Sequence, residues 1–344
     1  MLLSTVSYKK EENPVSLKTK RIEFIDALKG IVIFLVVYTH CYECVKGVRF
    51  GDPEIMADNF YAFGLAFHMP LFMFLSGLFS KSLIANDLSY FFKRRILPIL
   101  IPLIVWTGIS SIWESSWCLN LNGEYWFLNC ILIIYVIIFP LRYIPQKMIN
   151  YILPLFCILA MCFGTFSMYH VNSMLPFFCA GFYVKQYYST FERFSKQICI
   201  ISGVTLFVLS FFWKTDYTCY IVPIDLFENS KRELIIILYR ILIGLSASLF
   251  FFSLLYIFYD KIKELQVTRY LNIIGKNTLA IYLIHYFLYW IDVLPSVSSS
   301  NRLIDGLLIT PLYCCAVIVV CNFLIRLIRK NKYVAFILIG DKLR

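Results

Sequence analysis

Residues 21–40 read RIEFIDALKGIVIFLVVYTH, and the apolar character continues to residue 44. A helix of that length covers about 30 Å, the thickness of the hydrocarbon layer of a bilayer. Nine further segments of the same kind follow, giving approximate spans of 22–44, 60–80, 95–113, 125–142, 149–166, 171–188, 198–213, 234–259, 271–291 and 305–328. The expected fold class is therefore an all-α integral membrane protein of about ten transmembrane helices. Composition agrees. Of 344 residues, 60% are hydrophobic and 15% charged, against about 25% charged in an ordinary soluble domain.

Lys and Arg gather on one set of connections. These hold Lys9 to Arg21, Lys81, Lys93 to Arg95, Arg142 and Lys147, Lys185, Arg193 and Lys196, Lys261 to Arg269, and Arg326 to Arg344. The opposite connections hold only Lys46, Arg49, Lys214, Lys231, Arg232 and Arg302. That bias places both termini in the cytoplasm. It also accounts for the net charge of +11. With no basic patch interleaved with aromatics, no nucleic-acid partner is expected.

The chain divides into a polar cytoplasmic tail over 1–20, one membrane domain over 21–330 and a short cytoplasmic C-terminal tail over 331–344. The first span lacks a small-residue cleavage site, so it is read as a retained helix. Twelve cysteines lie scattered, mostly in apolar spans and without the paired CxxC of a metal site. They read as small buried hydrophobes, and no metal is expected. Only Cys118 and Cys219 sit in outward connections where a disulfide is conceivable.

An ionisable side chain inside a span costs several kcal/mol and needs a partner, water or a function. The first helix holds Asp26, Lys29, His40 and Glu43. Lys29 and His40 have ten residues between them, which separates them by about 16 Å along one helix face. Counting from the helix ends puts His40, His68, Arg240 and His285 in the outer half, with Lys29 near the inner face. An outer layer of imidazoles can accept a proton from an attacking hydroxyl. An inner layer, Lys29 with Lys93, Arg94 and Arg95, can bind phosphates. Glu43, Glu124, Trp126 and His285 are candidates for holding a polar, ring-shaped acceptor at the outer face.

Each signal has an ordinary structural reading beside the functional one. The basic cluster is also what a positive-inside anchor looks like, and the Trp residues are also what an interfacial belt contains. Lys29 has Asp26 one turn away as a partner. His68 and His285 read equally as satisfied core histidines, and Arg240 as a snorkelling cation.

The residues resemble the membrane acyltransferases called acyltransferase family three, and within it the fucose 4-O-acetylase and WecH-like branch. The similarity covers about residues 21 to 330, with RIEFIDALKGIVIFLVVYTH followed by FHMPLFMFLSG at 67–77, FFKRRILPILIPLIVW at 91–106, YWFLNCILIIYVIIFPL at 125–141, LPFFCAGFYVKQ at 175–186 and IGKNTLAIYLIHYFL at 274–288. The resemblance implies a protein of the bacterial inner membrane. It would move an acyl group, commonly acetyl, from cytoplasmic acyl-CoA to a hydroxyl of an extracytoplasmic glycan or lipid-linked sugar.

Carried over by position, the resemblance makes His40 the catalytic base and Lys29 its motif partner. Arg94 and Arg95 would lie near the CoA phosphates, with Lys93 or Lys29 in support. Arg240 and His68 are candidate stabilisers of the developing oxyanion. One departure stands out: many relatives carry a second Arg three positions after the first, where this chain has Pro98. The rival reading from another class is a transporter or flippase for a lipid-linked sugar, against which no internal repeat of the Lys29 to His40 pattern is found.

Overall fold

The computed structural model describes residues 14–80, 87–113, 123, 125–290, 295–299 and 301–342, and among them no strand occurs. Among the described residues, twelve helices of eight or more residues follow one another. They are α1 (Pro14–Lys46), α2 (Asn59–Leu78), α3 (Leu88–Trp113), α4 (Trp126–Ile138), α5 (Gln146–Met161) and α6 (Val171–Gln186). The second half holds α7 (Tyr188–Ser210), α8 (Lys231–Ile262), α9 (Gln266–Lys276), α10 (Thr278–Trp290), α11 (Arg302–Ile328) and α12 (Lys332–Ile339).

Seven are long and apolar enough to cross a membrane: α1, α2, α3, α4 with its extension to Tyr143, α7, α8 and α11. The other three expected spans are shorter or interrupted. α5 and α6 have 16 residues each, about 24 Å at 1.5 Å per residue. The expected span 271–291 breaks at Asn277 into α9 and α10. There the Asn277 amide donates to Asn322 Oδ1 at 3.0 Å and accepts from Arg329 Nη1 at 2.8 Å, which compensates the interrupted backbone ladder.

The lipid-facing surface is what bilayer solvation requires. Ile200, Ile201, Val204 and Phe207 of α7, Phe211 at its C-cap, and Ile235, Leu238 and Leu242 of α8 stand exposed. Contiguous apolar exposure on this scale marks contact with lipid. Polar residues punctuate the ends. Asp58 caps α2 by accepting from Phe60 N at 2.8 Å, and Ser230 and Glu233 form a reciprocal capping box on α8. Lys46, at the end of α1, reaches the fully buried Asp305 of α11 at 2.9 Å. Asp305 also accepts from Ser298 and Ser299.

Two glycine-lined crossings set the core. Where α2 meets α6, a Cβ on Gly77 would stand 2.0 Å from Phe178 O, and one on Gly181 would stand 1.9 Å from Phe74 O. Where α1 meets α9, a Cβ on Gly30 would lie 2.2 Å from Leu271 O and one on Gly275 would lie 1.7 Å from Asp26 O. Helices inside a membrane gain close contact through small residues because no hydrophobic effect drives them together. Gly275→Ala is therefore expected to push α9 off α1, displacing Asp26 and Lys29. A lower melting temperature in detergent checks this, and unchanged melting would mean that the crossing relaxes freely.

Residues Lys332–Ile339, within the segment read as a tail, form α12, which docks on α3. Trp106 Nε1 donates to Leu338 O at 2.7 Å. Gly340, at φ 69°, lets the chain turn hard against Pro98 O.

Candidate active site

His40 lies on the core side of α1, six residues before Lys46, where the helix faces α2 and α10. It lines a cavity of about 380 Å³ with Val36, Glu43, Tyr61, His68, Trp126, Tyr220, Tyr282 and Tyr286 among its walls. Aromatic rings surround the imidazole, with the centroids of Tyr289 at 4.8 Å, Tyr286 at 5.0 Å and His285 at 5.5 Å.

One helical turn on, Glu43 places Oε1 3.9 Å from His40 Nδ1. This is an electrostatic pairing, longer than the roughly 2.9 Å of a hydrogen bond. The carboxylate is held from three other sides: Tyr61 OH donates to Oε1 at 2.6 Å, Phe50 N donates to Oε2 at 3.2 Å, and Tyr289 OH also donates to Oε2. Tyr289 is itself fixed by Arg49, whose guanidinium stacks 4.1 Å from the ring centroid. Glu43 was read as an acceptor contact, and the structure puts it beside the imidazole as well as on the cavity wall. His40 Nδ1 is buried without a hydrogen-bond partner among the described residues, so Glu43 is the group placed to orient it.

The other histidines are locked by their own helices. His68 Nδ1 lies 2.5 Å from Gly64 O and His285 Nδ1 lies 2.8 Å from Ile281 O, each one turn back. A carbonyl only accepts, so each Nδ1 carries the proton and a neutral ring offers a lone pair at Nε2. His68 lines the cavity. His285 is 1% exposed, does not line it, and stands behind His40.

Arg240 also stays out of the His40 cavity. It lines a side pocket of about 20 Å³ that shares Leu65, His68, Met69 and Tyr220 with the larger one. Its Nη1 donates to Val222 O at 2.8 Å and Tyr217 O at 3.4 Å. The four groups that counting from helix ends assigns to one outer layer therefore do not share a cavity: His40 and His68 line it, and Arg240 and His285 do not. Helix α8 turns Arg240 toward the carbonyls of the 217–222 loop.

A second cavity, of about 300 Å³, opens toward the other end of the bundle and is lined by Lys29, Phe72, Phe79, Arg95, Phe127, Lys276 and Tyr282. Lys29 Nζ pairs with Asp26 at 3.1 Å and also stands 5.0 Å from the Phe79 ring centroid. The partner reading and the cavity reading hold together. Arg95 reaches this cavity because residues Phe92–Ile96 form a π turn. Lys93 and Arg94, on the same turn, are exposed and do not line it.

Reading the residues found Trp126 but missed the tyrosines of the cavity wall and His170. His170 sits at φ 54°, a left-handed conformation unusual for a residue with a side chain. Its ring packs 4.7 Å from Trp126 and 5.4 Å from Tyr220. Burial, reinforced by the charge of Arg240, pushes its pKa down to about 4. Tyr220 stands exposed at the cavity wall, where its phenol, neutral at physiological pH like any tyrosine, is available as a donor. Trp126 lines the cavity beside it. Glu124 and Cys118 lie outside the described residues, and Cys219 is buried with a free thiol. No cluster of three or more metal-ligating side chains occurs among the described residues.

Comparison with known proteins adds a family. A family model described as an acyltransferase domain matches residues 22–326. The chain is similar to nodulation protein NolL of Mesorhizobium japonicum (strain LMG 29417 / CECT 9101 / MAFF 303099), with 20% identity over 339 residues that cover 92% of this chain and 89% of the relative. No solved structure matches.

Proposed function

The chain belongs to this acyltransferase family and is an integral membrane acyltransferase, and from that premise we propose that it carries an acyl group, acetyl in the first instance, from cytoplasmic acyl-CoA to a hydroxyl of an extracytoplasmic glycan or lipid-linked sugar. The observation that carries the reading is the pair of cavities on α1, a cationic one at Lys29 and an imidazole-bearing one at His40. In this proposal both termini are cytoplasmic and the protein resides in the bacterial inner membrane, as the distribution of Lys and Arg supports. Lys29, Arg95 and Lys276 hold the donor's phosphates. The aromatic wall of Trp126, Tyr220 and Tyr286 receives the sugar.

The transfer itself needs one base and one oxyanion donor. His40 Nε2 takes the proton of the acceptor hydroxyl while that oxygen attacks the thioester carbonyl carbon. Glu43 beside Nδ1 stabilises the imidazolium as it forms. The tetrahedral oxyanion accepts a hydrogen bond from Tyr220 OH. The carbon–sulfur bond then breaks, and the departing thiolate takes the proton back from His40, leaving CoA as the free thiol. His68 has committed its Nδ1 proton to Gly64 O. It serves as a wall and an acceptor, and the oxyanion role passes to Tyr220.

Purified protein in liposomes, given radiolabelled acetyl-CoA and candidate glycans or lipid-linked sugars, should transfer label to the acceptor. Absence of both thioester hydrolysis and transfer overturns the reading. The donor end has its own test. Arg95→Glu is expected to raise KM for acyl-CoA by about tenfold or more with the acceptor KM unchanged, since a charge-assisted hydrogen bond to phosphate is worth about 1.5–3 kcal/mol. Arg94→Glu, on the exposed side of the same turn, is expected to raise it far less. Equal effects from the two would show that only the net charge of the turn matters.

A further inference from the structure

Among the described residues, the Lys29 cavity and the His40 cavity have one lining residue in common, Tyr282. Its ring does not stand alone. Phe127 lies 6.2 Å away and Phe72 a further 5.9 Å from Phe127, centroid to centroid. The three rings come from α10, α4 and α2, and all three line the Lys29 side. They form a partition across the middle of the bundle. On the His40 side, Tyr282 is backed by the rings of His285 at 5.9 Å and Tyr125 at 6.3 Å.

The position of α10 makes Tyr282 the movable part. This helix starts immediately after the break at Asn277, contributes Thr278 and Leu279 to the Lys29 cavity, and contributes Tyr286 to the His40 cavity. Phe72 and Phe127 face one cavity, whereas Tyr282 faces both. Its ring contacts with Tyr125, Phe127 and His285 are tilted or edge-on, and a change of side-chain rotamer shifts such contacts while leaving every helix intact.

The geometry points to Tyr282 as the residue that the donor's arm must displace to bring its thioester to His40, and so as a determinant of which acyl groups pass. The inference rests on acyl-CoA being the donor. In the closed position shown here, the ring keeps water on the two sides apart. A polar path open from end to end would let the thioester hydrolyse without an acceptor and let protons cross the membrane. A donor arm that displaces the ring fills the passage it opens. Acyl groups broader than acetyl then meet the rings of Phe72 and Phe127, which do not line both cavities.

Four proteins reconstituted in sealed liposomes test this: wild type, Tyr282→Phe, Tyr282→Ala and Tyr282→Trp. Each is measured for proton leak without substrates, for CoA binding by calorimetry, and for transfer from acetyl, butyryl and branched acyl-CoA donors. Tyr282→Trp should bind CoA as wild type does yet lose transfer by about 100-fold, the loss that follows when a reacting group is held out of reach. Tyr282→Ala should leak protons, hydrolyse acetyl-CoA without an acceptor, and gain relative rate with the bulkier donors. Tyr282→Phe should keep the seal. Wild-type transfer rates in the Trp variant, or a phenylalanine variant that leaks as much as the alanine one, overturn the proposal. The leak measurement involves no catalysis, so it decides on the partition even where wild type itself transfers nothing and the acyl-CoA reading fails.

Discussion

His40→Ala is expected to lower acyl transfer by at least about 100-fold, the lower end of what a positioned general base contributes. The protein should remain inserted and folded, because the imidazole sits at a cavity wall and its Nδ1 makes no hydrogen bond to the described residues. Removing it strands no partner. Binding of CoA should persist, since Lys29 and Arg95 line a separate cavity. A transfer assay paired with calorimetric CoA binding makes the distinction. Residual activity above a tenth of wild type would remove His40 from the role of base.

Glu43 is expected to show a different pattern, and the choice of substitution decides what is learned. Glu43→Ala would leave Tyr61 OH, Tyr289 OH and Phe50 N without their acceptor. Each buried orphan costs about 1–3 kcal/mol, so that variant should fail through instability. Glu43→Gln keeps the shape and one carbonyl oxygen, and a tyrosine hydroxyl can turn to accept from the new amide. It should therefore melt close to wild type. Its kcat should still fall by about 10-fold to 100-fold, because the imidazolium formed during proton transfer loses its anionic neighbour. KM for acyl-CoA should not move. A glutamine variant with full kcat would make Glu43 a structural bracket for Tyr61 and Tyr289 and nothing more.

The parts of this site that could be read from residues alone are those that depend on one helix. Lys29 and His40 share a face of α1 because eleven positions make just over three turns, and the structure finds each on the wall of a cavity. The apolar spans were legible for the same reason, length against bilayer thickness.

What escaped depended on neighbours. The break at Asn277 could not be read along the chain, because the groups that hold its amide come from another segment: Asn322 of α11, and Arg329 just beyond the end of that helix. His285 packs against His40, but its bond to Ile281 O keeps its ring off the cavity wall. Arg240 is aimed by carbonyls in a loop whose course no periodicity reveals. Tyr220, Tyr282 and Tyr286 were invisible among 24 tyrosines. In a membrane protein an aromatic belt has the same composition as a sugar-binding wall.

The π turn at Phe92–Ile96 has a consequence for how basic runs are compared between proteins. Three adjacent cations on a regular α-helix point about 100° apart, so which one meets the ligand is a matter of angular phase. Inserting one residue into a turn advances that phase by about one position, and Arg95 rather than Arg94 becomes the inward cation. Aligned by letters, two chains can match at every arginine and still present different ones to the phosphate. Equally, a chain that has lost an arginine can recover the contact by gaining or losing a single residue nearby. Here Lys276 arrives at the same cavity from α9, a cation supplied by another helix altogether. The functional unit is a direction in space, and several spellings of this helix can supply it.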